Sequence, residues 1–314
     1  MANTLIADMV VPSNFASYIV QETTSKSAFL TSGAVVTNST LAITKGGKTL
    51  TVPHFNPLVG AVQLLDDSNP MTVNKVTTGE QVGVINARGQ AFSANDLASG
   101  YAGADVVSYI GSKLGTYWAD VIDDHAIAVV RGALAASAST NVLDISGGVG
   151  DAAVFSASAF IDARGKLGDA RSKLKAIIVH SAVVGLMEKQ DLIEYKLNSE
   201  GKSIATYRGL PVIECDKLTA ASGVYTMILV GENAITFSEG MDLLEFETER
   251  SALAGDTRLV TRRSYVLHPN GFSYAGTVGN VTPSDAAFAT GSNWTKVFDT
   301  KNIPLVGFKF KIEA

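Results

Sequence analysis

The stretch 104–136, ADVVSYIGSKLGTYWADVIDDHAIAVVRGALAA, decides how the rest of the chain is read. Val106, Ile110, Leu114, Tyr117, Val121 and Val129 recur at spacings of three, four or eight, which puts them on one stripe of a helix. Trp118, Ile122 and Ile127 widen the stripe, whereas Asp105, Lys113, Asp120, Asp123 and Arg131 fall largely off it. A helix of this length is a rod of roughly 50 Å, longer than a small domain is wide. Asn95 and Gly103 precede it and the small residues Ser137 to Thr140 follow, which supplies both ends. Gly111 and Gly115 each weaken it by roughly 1 kcal/mol relative to Ala, enough for a bend. A rod with one apolar stripe needs something laid along it.

Upstream, residues 46–95 are the second informative stretch. KTLTVPHF reads as a strand with Leu50, Val52 and His54 on one face, and EQVGVINARGQAF reads as its partner. Between them LVGAVQLLDDSNPMTVNKVTTG has Pro70, two acids and no helical period. The outline is a long two-stranded ribbon with an irregular tip. Such a ribbon is marginal in water and its edges carry unpaired backbone groups. It must pack on something outside itself, either the rest of the chain or another copy. Residues 1–45 read as an arm. Phe15, Ala16, Tyr18 and Ile19 make a short amphipathic pattern after the cap candidate Ser13, followed by a polar run and AFLTSGAVV. That pattern is too short to be stable alone. The ribbon, the arm and one side of the rod are therefore expected to lack enough cover within one copy, with sister copies providing the rest.

Downstream, NVLDISGGVGDAAVFSASAF passes through a Gly-rich loop into a helix expected from Ser158 to Leu167, capped by Ser156 or Ser158. KLKAIIVH is a continuous apolar strand of the buried kind. SAVVGLMEKQ is a short helix with Ser181 as its cap, and LPVIECD, VYTMILV and AITFSEG are further short strands. Together they make an α+β or α/β module over roughly 150–240. From 241 the pattern changes to alternation, in Leu243/Glu245 and Leu244/Phe246/Thr248, then Arg258 to Leu267 and Gly271 to Gly276. These predict long antiparallel strands with charged faces, to which the closing NIPLVGFKFKIEA returns.

The totals set limits. At 314 residues the chain is one large domain or two of ordinary size. With 46% hydrophobic and 18% charged residues it builds a sizeable core, which excludes a mainly disordered chain. The net charge of −5 argues against binding nucleic acid through phosphates. Cys215 stands alone, so no intrachain disulfide or thiolate cluster forms, and its apolar setting makes it a small buried hydrophobe. MANTLIADMVVPSNF lacks the charged leader of a secretory signal. The richest apolar run, Leu174 to Met187, is cut by Lys175 and His180, so no bilayer span is expected. The sequons at Asn38, Asn280 and Asn293 are then chance matches in a soluble chain made in the cytoplasm.

Catalytic and ligand-binding patterns are weak. Gly201-Lys202-Ser203 lacks the glycine a phosphate loop needs five positions earlier, where Lys196 stands, and reads as a polar turn. Ser146-Gly147-Gly148-Val149-Gly150-Asp151 lacks dinucleotide spacing and reads as a flexible loop. His54, His125, His180 and His268 are far apart, without zincin spacing or a nucleophile elbow, so structural roles are expected. Asp123 and Asp124 with His125 read as a solvated face beside a partly buried ring, and Asp66-Asp67 as two neighbouring loop acids. Arg250, Asp256, Arg258, Arg262 and Arg263, beside Glu245, Glu247 and Glu249, have mixed signs suited to pairing with another copy.

In order and content these pieces resemble the major capsid (coat) proteins of tailed bacteriophages, whose fold is shared with herpesvirus capsid floors and encapsulins. The resemblance covers nearly the whole chain. It is carried by PSNFASYIVQETTSKSAFLTSG, TVPHFNPL, the long helix with the NDLASGYAG before it, SASAFIDARGKLGDARSKLKAIIVHSAVVGLMEKQDLIEY, TYRGLPVIECDKL, ERSALAGDTRLVTRRSYVLHPNGFSY and NWTKVFDTKNIPLV. It implies an α+β phage major-capsid fold. Its parts would be an N-terminal arm at 1–45, an extended β-ribbon loop at 46–95, a spine helix with the start of a peripheral domain at 96–145, an axial α/β domain at 146–240, and a peripheral antiparallel sheet with the C-terminal strand at 241–314.

The implied function is assembly: copies form hexamers and pentamers of an icosahedral shell in the virion, enclosing double-stranded DNA without sequence-specific binding. An acidic lumen wall would let DNA pack and leave. No enzyme activity, cofactor, metal or membrane partner is implied. The start at Met1 directly on the arm implies a separate scaffolding protein, with a portal and a decoration protein as further partners. Asp66, Asp67, Lys75, Glu80, Arg88, Arg250, Arg258, Arg262 and Arg263 are the expected inter-subunit residues. In a minority of such capsids a loop lysine such as Lys75 is cross-linked to an Asn; nothing in the sequence singles out such a pair. The alternatives are an encapsulin-type compartment holding a cargo enzyme, a soluble hydrolase using His180 or His268, and a soluble oligomeric binding module.

Overall fold

In the computed structural model the described residues are 35–37, 47–64, 71–96, 99, 106–138, 140–197, 201, 203–218, 221–239, 243 and 245–313. The helix demanded by the periodicity, α1, runs Val106–Ala136. It stops where the small residues begin, with Ser137 N and Oγ both donating to Ala133 O, at 3.1 and 3.0 Å. Its first half is one-sided, with Leu114 and Trp118 buried and Tyr109 and Lys113 exposed. From Ile122 to Leu134 it is buried on nearly every side, with only Asp124 and Arg131 exposed. Asp123, expected on a solvated face, is therefore buried, and so is His125.

The first sheet joins β1 (Val35–Thr37), β2 (Thr49–Phe55), β3 (Thr78–Asn95), β10 (Ile235–Glu239), β11 (Phe246–Ser251) and β12 (Asp256–Pro269) in the order β1-β10-β12-β3-β2, with β11 beside β12. β3 changes partner along its length. Residues 85–95 pair antiparallel with β12, and residues 78–84 pair with β2. The expected ribbon is thus the outward continuation of a sheet strand. Leu50, Val52 and His54 of β2 are half-buried and alternate with exposed residues, as their spacing predicts.

The second sheet has seven strands in the order β4-β15-β9-β5-β8-β7-β6: β4 (Val142–Asp144), β15 (Leu305–Lys311), β9 (Val224–Gly231), β5 (Leu174–Val179), β8 (Leu210–Glu214), β7 (Ser203–Tyr207) and β6 (Glu194–Leu197). α2 (Ala157–Gly165) and α3 (Ser181–Lys189) pack on it. Ser156 caps α2, its hydroxyl accepting from Ala159 N. α3 is capped by His180 rather than Ser181, through a ring nitrogen that accepts from Ala182 N at 3.0 Å. One face of this sheet builds a core with Phe155, Phe160, Tyr207 and Met187. The other face, with Ala176, Ile178, Ile228 and Val230, meets α1.

Three further expectations are corrected. The closing strand β15 pairs with β9 and β4, not with the long antiparallel strands. Phe308 and Phe310 draw it there, their rings 6.0 and 5.2 Å from Phe155, in a cluster that removes three aromatic faces from water. The strand at 235–239, expected with the preceding module, pairs with β12 in the first sheet. Third, the uncovered side of the rod is covered by its own chain. β13 (Phe272–Tyr274), the short helix α4 (Asp285–Ala289), a 3₁₀ turn at Gly291–Asn293 and β14 (Trp294–Lys296) supply that cover. Gly132 on α1 permits the approach: a Cβ there would collide with Phe288 O and the Trp294 indole, whose Nε1 donates to Phe288 O at 2.7 Å. The arm helix expected around Ser13, Phe15 and Ile19 lies outside the described residues.

Candidate assembly interface

The ribbon has an anchored base and a bare tip. At the base, Val82 N donates to Ser273 Oγ and Gly271 N to Gln81 Oε1, both at 3.0 Å. His54 meets Phe298 edge-on at 4.8 Å. Beyond the paired strands, Asn56 N donates to Thr77 O at 2.9 Å. Gln63 and Thr72 exchange two bonds, with Gln63 Nε2 donating to Thr72 O at 2.8 Å and Thr72 N to Gln63 Oε1 at 2.7 Å. Those polar ties hold the two branches together but cover nothing. Phe55 is 78% exposed, Val62 97%, Leu64 95% and Val73 90%, and Leu58 and Val59 stand out as far. Fully burying each such side chain is worth about 1.5–3 kcal/mol, so an exposed set of this size marks a protein contact.

Within the part of β3 that pairs with β12, a polar cluster ties the strand to α1 and α4. Arg88 Nη2 donates to Asp285 Oδ1 at 2.6 Å and Nη1 to Oδ2 at 3.0 Å, a bidentate fork. His125 Nδ1 lies 2.8 Å from Asp285 Oδ1, and Asn86 Nδ2 lies 3.0 Å from His125 Nε2. The arrangement fits a neutral ring that donates to the carboxylate and accepts from the amide. Burial lowers the His125 pKa and outweighs the opposing pull of Asp285. Burial by itself would raise the Asp285 carboxyl, but the hydrogen bonds from His125 and Arg88 hold it well below the usual carboxylate range. Sequence reasoning missed this cluster. Its members come from three elements as much as 199 positions apart (from Asn86 to Asp285), and no local spacing announces it.

Of the expected contact residues, Asp66 and Asp67 lie outside the described residues. Lys75 and Glu80 are exposed on the ribbon. The arginines find carboxylates in their own chain: Arg250 with Asp96 at 2.7 Å, Arg258 with Glu249 at 3.6 Å, and Arg262 with Glu247. The last two are cross-strand pairs of β11 and β12, and exposed pairs of this kind contribute about 0–1 kcal/mol. Arg263 is 5% exposed, paired with Glu239 and 5.8 Å over the Trp118 ring, so for this residue the structure shows an internal pair instead of a surface contact.

The other singled-out groups have structural places. His268 is buried on β12, with Nε2 3.4 Å from Gln81 Oε1 and its ring near Trp294. Cys215 is buried, which pushes its thiol pKa up. Gly201, at φ +74°, turns the chain between β6 and β7. In the Gly-rich loop, Asp144 Oδ1 accepts from Ser146 N and Oγ. Among the described residues no helix is long and apolar enough to cross a membrane.

Comparison with known proteins gives concordant results. The family model for Gp13-like proteins, described as "Major capsid protein 13-like", matches residues 102–304. The major capsid protein of Bacillus phage SPP1 is 37% identical over 326 aligned positions that cover all of both chains. The capsid asymmetric unit of cyanophage Pam1 superposes with a TM-score of 0.59 at 13% identity, over 92% of this chain and 93% of that one. The head structure of Helicobacter pylori bacteriophage KHP40 gives 0.54 at 12% identity, over 89% and 86%. At such identities the structural matches establish the fold alone.

Proposed function

This chain belongs to the Gp13-like major capsid protein family, and on that premise we propose that its copies close, through hexamers and pentamers, into an icosahedral shell around packaged double-stranded DNA. It is a phage major capsid protein and a part of the virion. The observation that carries the finer reading is the ribbon tip. Its exposed apolar side chains belong to a ribbon whose base is paired into the sheet, so they project from a fixed base toward a neighbour. Lys75 and Glu80 rim the ribbon contact, while the half-exposed Arg250, Arg258 and Arg262, at the far end of β3, face a second contact with a neighbouring copy. The seven-stranded sheet with α2 and α3 serves as the axial part. The six-stranded sheet with α1 serves as the peripheral part.

A separate scaffold, a portal and a decoration protein complete the proposed partners. The acidic balance supports enclosure of DNA without tight binding to the wall. The nanocompartment alternative has no support, since the family and the curated relative are both capsid proteins. His180 serves as a helix cap and His268 as a packed sheet residue, which leaves the hydrolase reading without a motivating site. Negative-stain microscopy and sedimentation of the purified or scaffold-co-expressed chain test the proposal. Closed particles or tubes on the order of tens of nanometres, a size set by many standard subunit contacts, are expected. A monodisperse monomer at every salt and protein concentration overturns it.

A further inference from the structure

Three arginines on the seven-stranded sheet differ from those of the β11–β12 hairpin. Arg164 sits at the end of α2, Arg171 in the 3₁₀ turn Gly168–Lys173, and Arg208 in the turn between β7 and β8. Among the described residues none of the three has a carboxylate within ion-pairing distance, and Arg164 Nε is buried without a hydrogen-bond partner. The packing brings the end of α2 and the Arg208 turn together, and Arg171 follows α2 in the next turn of chain. Phe160, one turn before Arg164, has its ring 4.7 Å from Tyr207. Arg208 lies 5.8 Å over that same ring, its Nε donating to Tyr207 Oη at 3.4 Å. Burial first, then the like charges of Arg171 and Arg208, lower the Arg164 pKa, as expected for crowded guanidinium groups.

The backbone adds a second observation. Arg208 adopts φ +48° and Gly209 φ +80°, a two-residue hairpin turn whose first position favours Asn, Asp or Gly. The Cβ of an ordinary residue there approaches the following carbonyl oxygen at a cost of about 1–2 kcal/mol, which Asn partly offsets by local hydrogen bonding. Strain kept at one charged residue, beside an orphaned buried N–H, points to a ligand that both serve.

We propose that Arg164, Arg171 and Arg208 form an oxyanion site occupied in the shell by a carboxylate from a second copy of this chain. The proposal rests on the assembly reading. Guanidinium forks match a carboxylate, and each copy brings 30 acids against 25 bases. A nucleic-acid backbone would need an extended basic track, which three residues on a chain of net charge −5 do not make.

Full-length Arg208→Asn and Arg171→Gln test it, in buffer free of nucleic acid. Asn relieves the turn strain, so the unassembled R208N chain is expected to melt at or above the wild-type temperature. The protein concentration needed for shells should nevertheless rise about tenfold for R208N and less for R171Q. These opposite signs separate a lost contact from a lost fold. Inorganic phosphate, titrated as a probe onto the unassembled chain, should raise the melting temperature of wild type more than that of R208N. Shells of both variants at wild-type concentrations, or an equal phosphate response, overturn the proposal. In a separate arm with double-stranded DNA supplied, shells that form normally but retain less DNA reassign the site to phosphate and overturn it too. If wild type itself makes no shells, the assembly reading fails, and the phosphate arm still decides whether the arginines bind an anion.

Discussion

Two apolar stretches of this chain look alike as sequence and end in opposite environments. LVGAVQL at 58–64 leaves Leu58, Val59, Val62 and Leu64 in solvent, whereas HAIAVVRGAL at 125–134 buries Ile127, Val129, Val130 and Leu134. The transfer free energy per side chain is the same in both. What differs is the cover. The helix receives the segment from β13 to β14 of its own chain, fitted against it by Gly132, while among the described residues nothing covers the ribbon tip. Hydrophobicity fixes that a side chain will be covered; it does not fix which molecule supplies the cover.

That contrast can be broken from the helix side. Gly132→Val drives two methyl groups into Phe288 O and the Trp294 indole, and should cost about 3 kcal/mol or prevent folding, read as the melting temperature of the unassembled chain. Next in size, Asp285→Ala leaves the Arg88 fork and the His125 Nδ1–H without an acceptor; about 3 kcal/mol or somewhat less is expected from urea midpoints. Asp285→Asn, which keeps an acceptor, should cost less.

A pH series reports the same buried half. The His268 ring is fully buried, and its pKa falls from 6.5 to about 4 in the folded chain. As pH drops, the unfolded chain is protonated first, so stability present at pH 7 is lost between 6.5 and 4. About 2 kcal/mol should be gone by pH 5 from this ring alone. His125 acts in the same direction. Asp285 has the depressed pKa of a paired carboxylate, so its contribution disappears only below about 3.8. His268→Gln should flatten the upper part of the curve in urea titrations at stepped pH. The smallest effect sharpens the contrast from the ribbon side. Val62→Ser with Leu64→Ser should leave the stability of the unassembled chain within about 0.5 kcal/mol, yet remove particles from negative-stain fields.

Local pattern made much of this legible. The spacing of Val106, Ile110 and Leu114 announced α1, and alternation announced β2 and the face that Leu50 and Val52 share. The candidate contact residues were harder to place. Mixed charge on β11 and β12 was visible, but the pairing of Arg262 with Glu247 and the burial of Arg263 against Trp118 depend on strand register and on which face the helix covers. The anchoring of Arg88 by Asp285 joins positions 197 apart, beyond any window in which periodicity carries information.

By itself, then, the sequence determined the elements and the amount of apolar surface to be hidden, because both follow from dihedral preferences and side-chain transfer energies summed over near neighbours. Tertiary structure alone decided that β15 joins the sheet of β9, that the segment from β13 to β14 lies along α1, and that the described part of the ribbon tip stays exposed. Each of those outcomes is a competition between distant surfaces for the same partner. It is settled by shape, as at Gly132, and by how far a connected chain can reach.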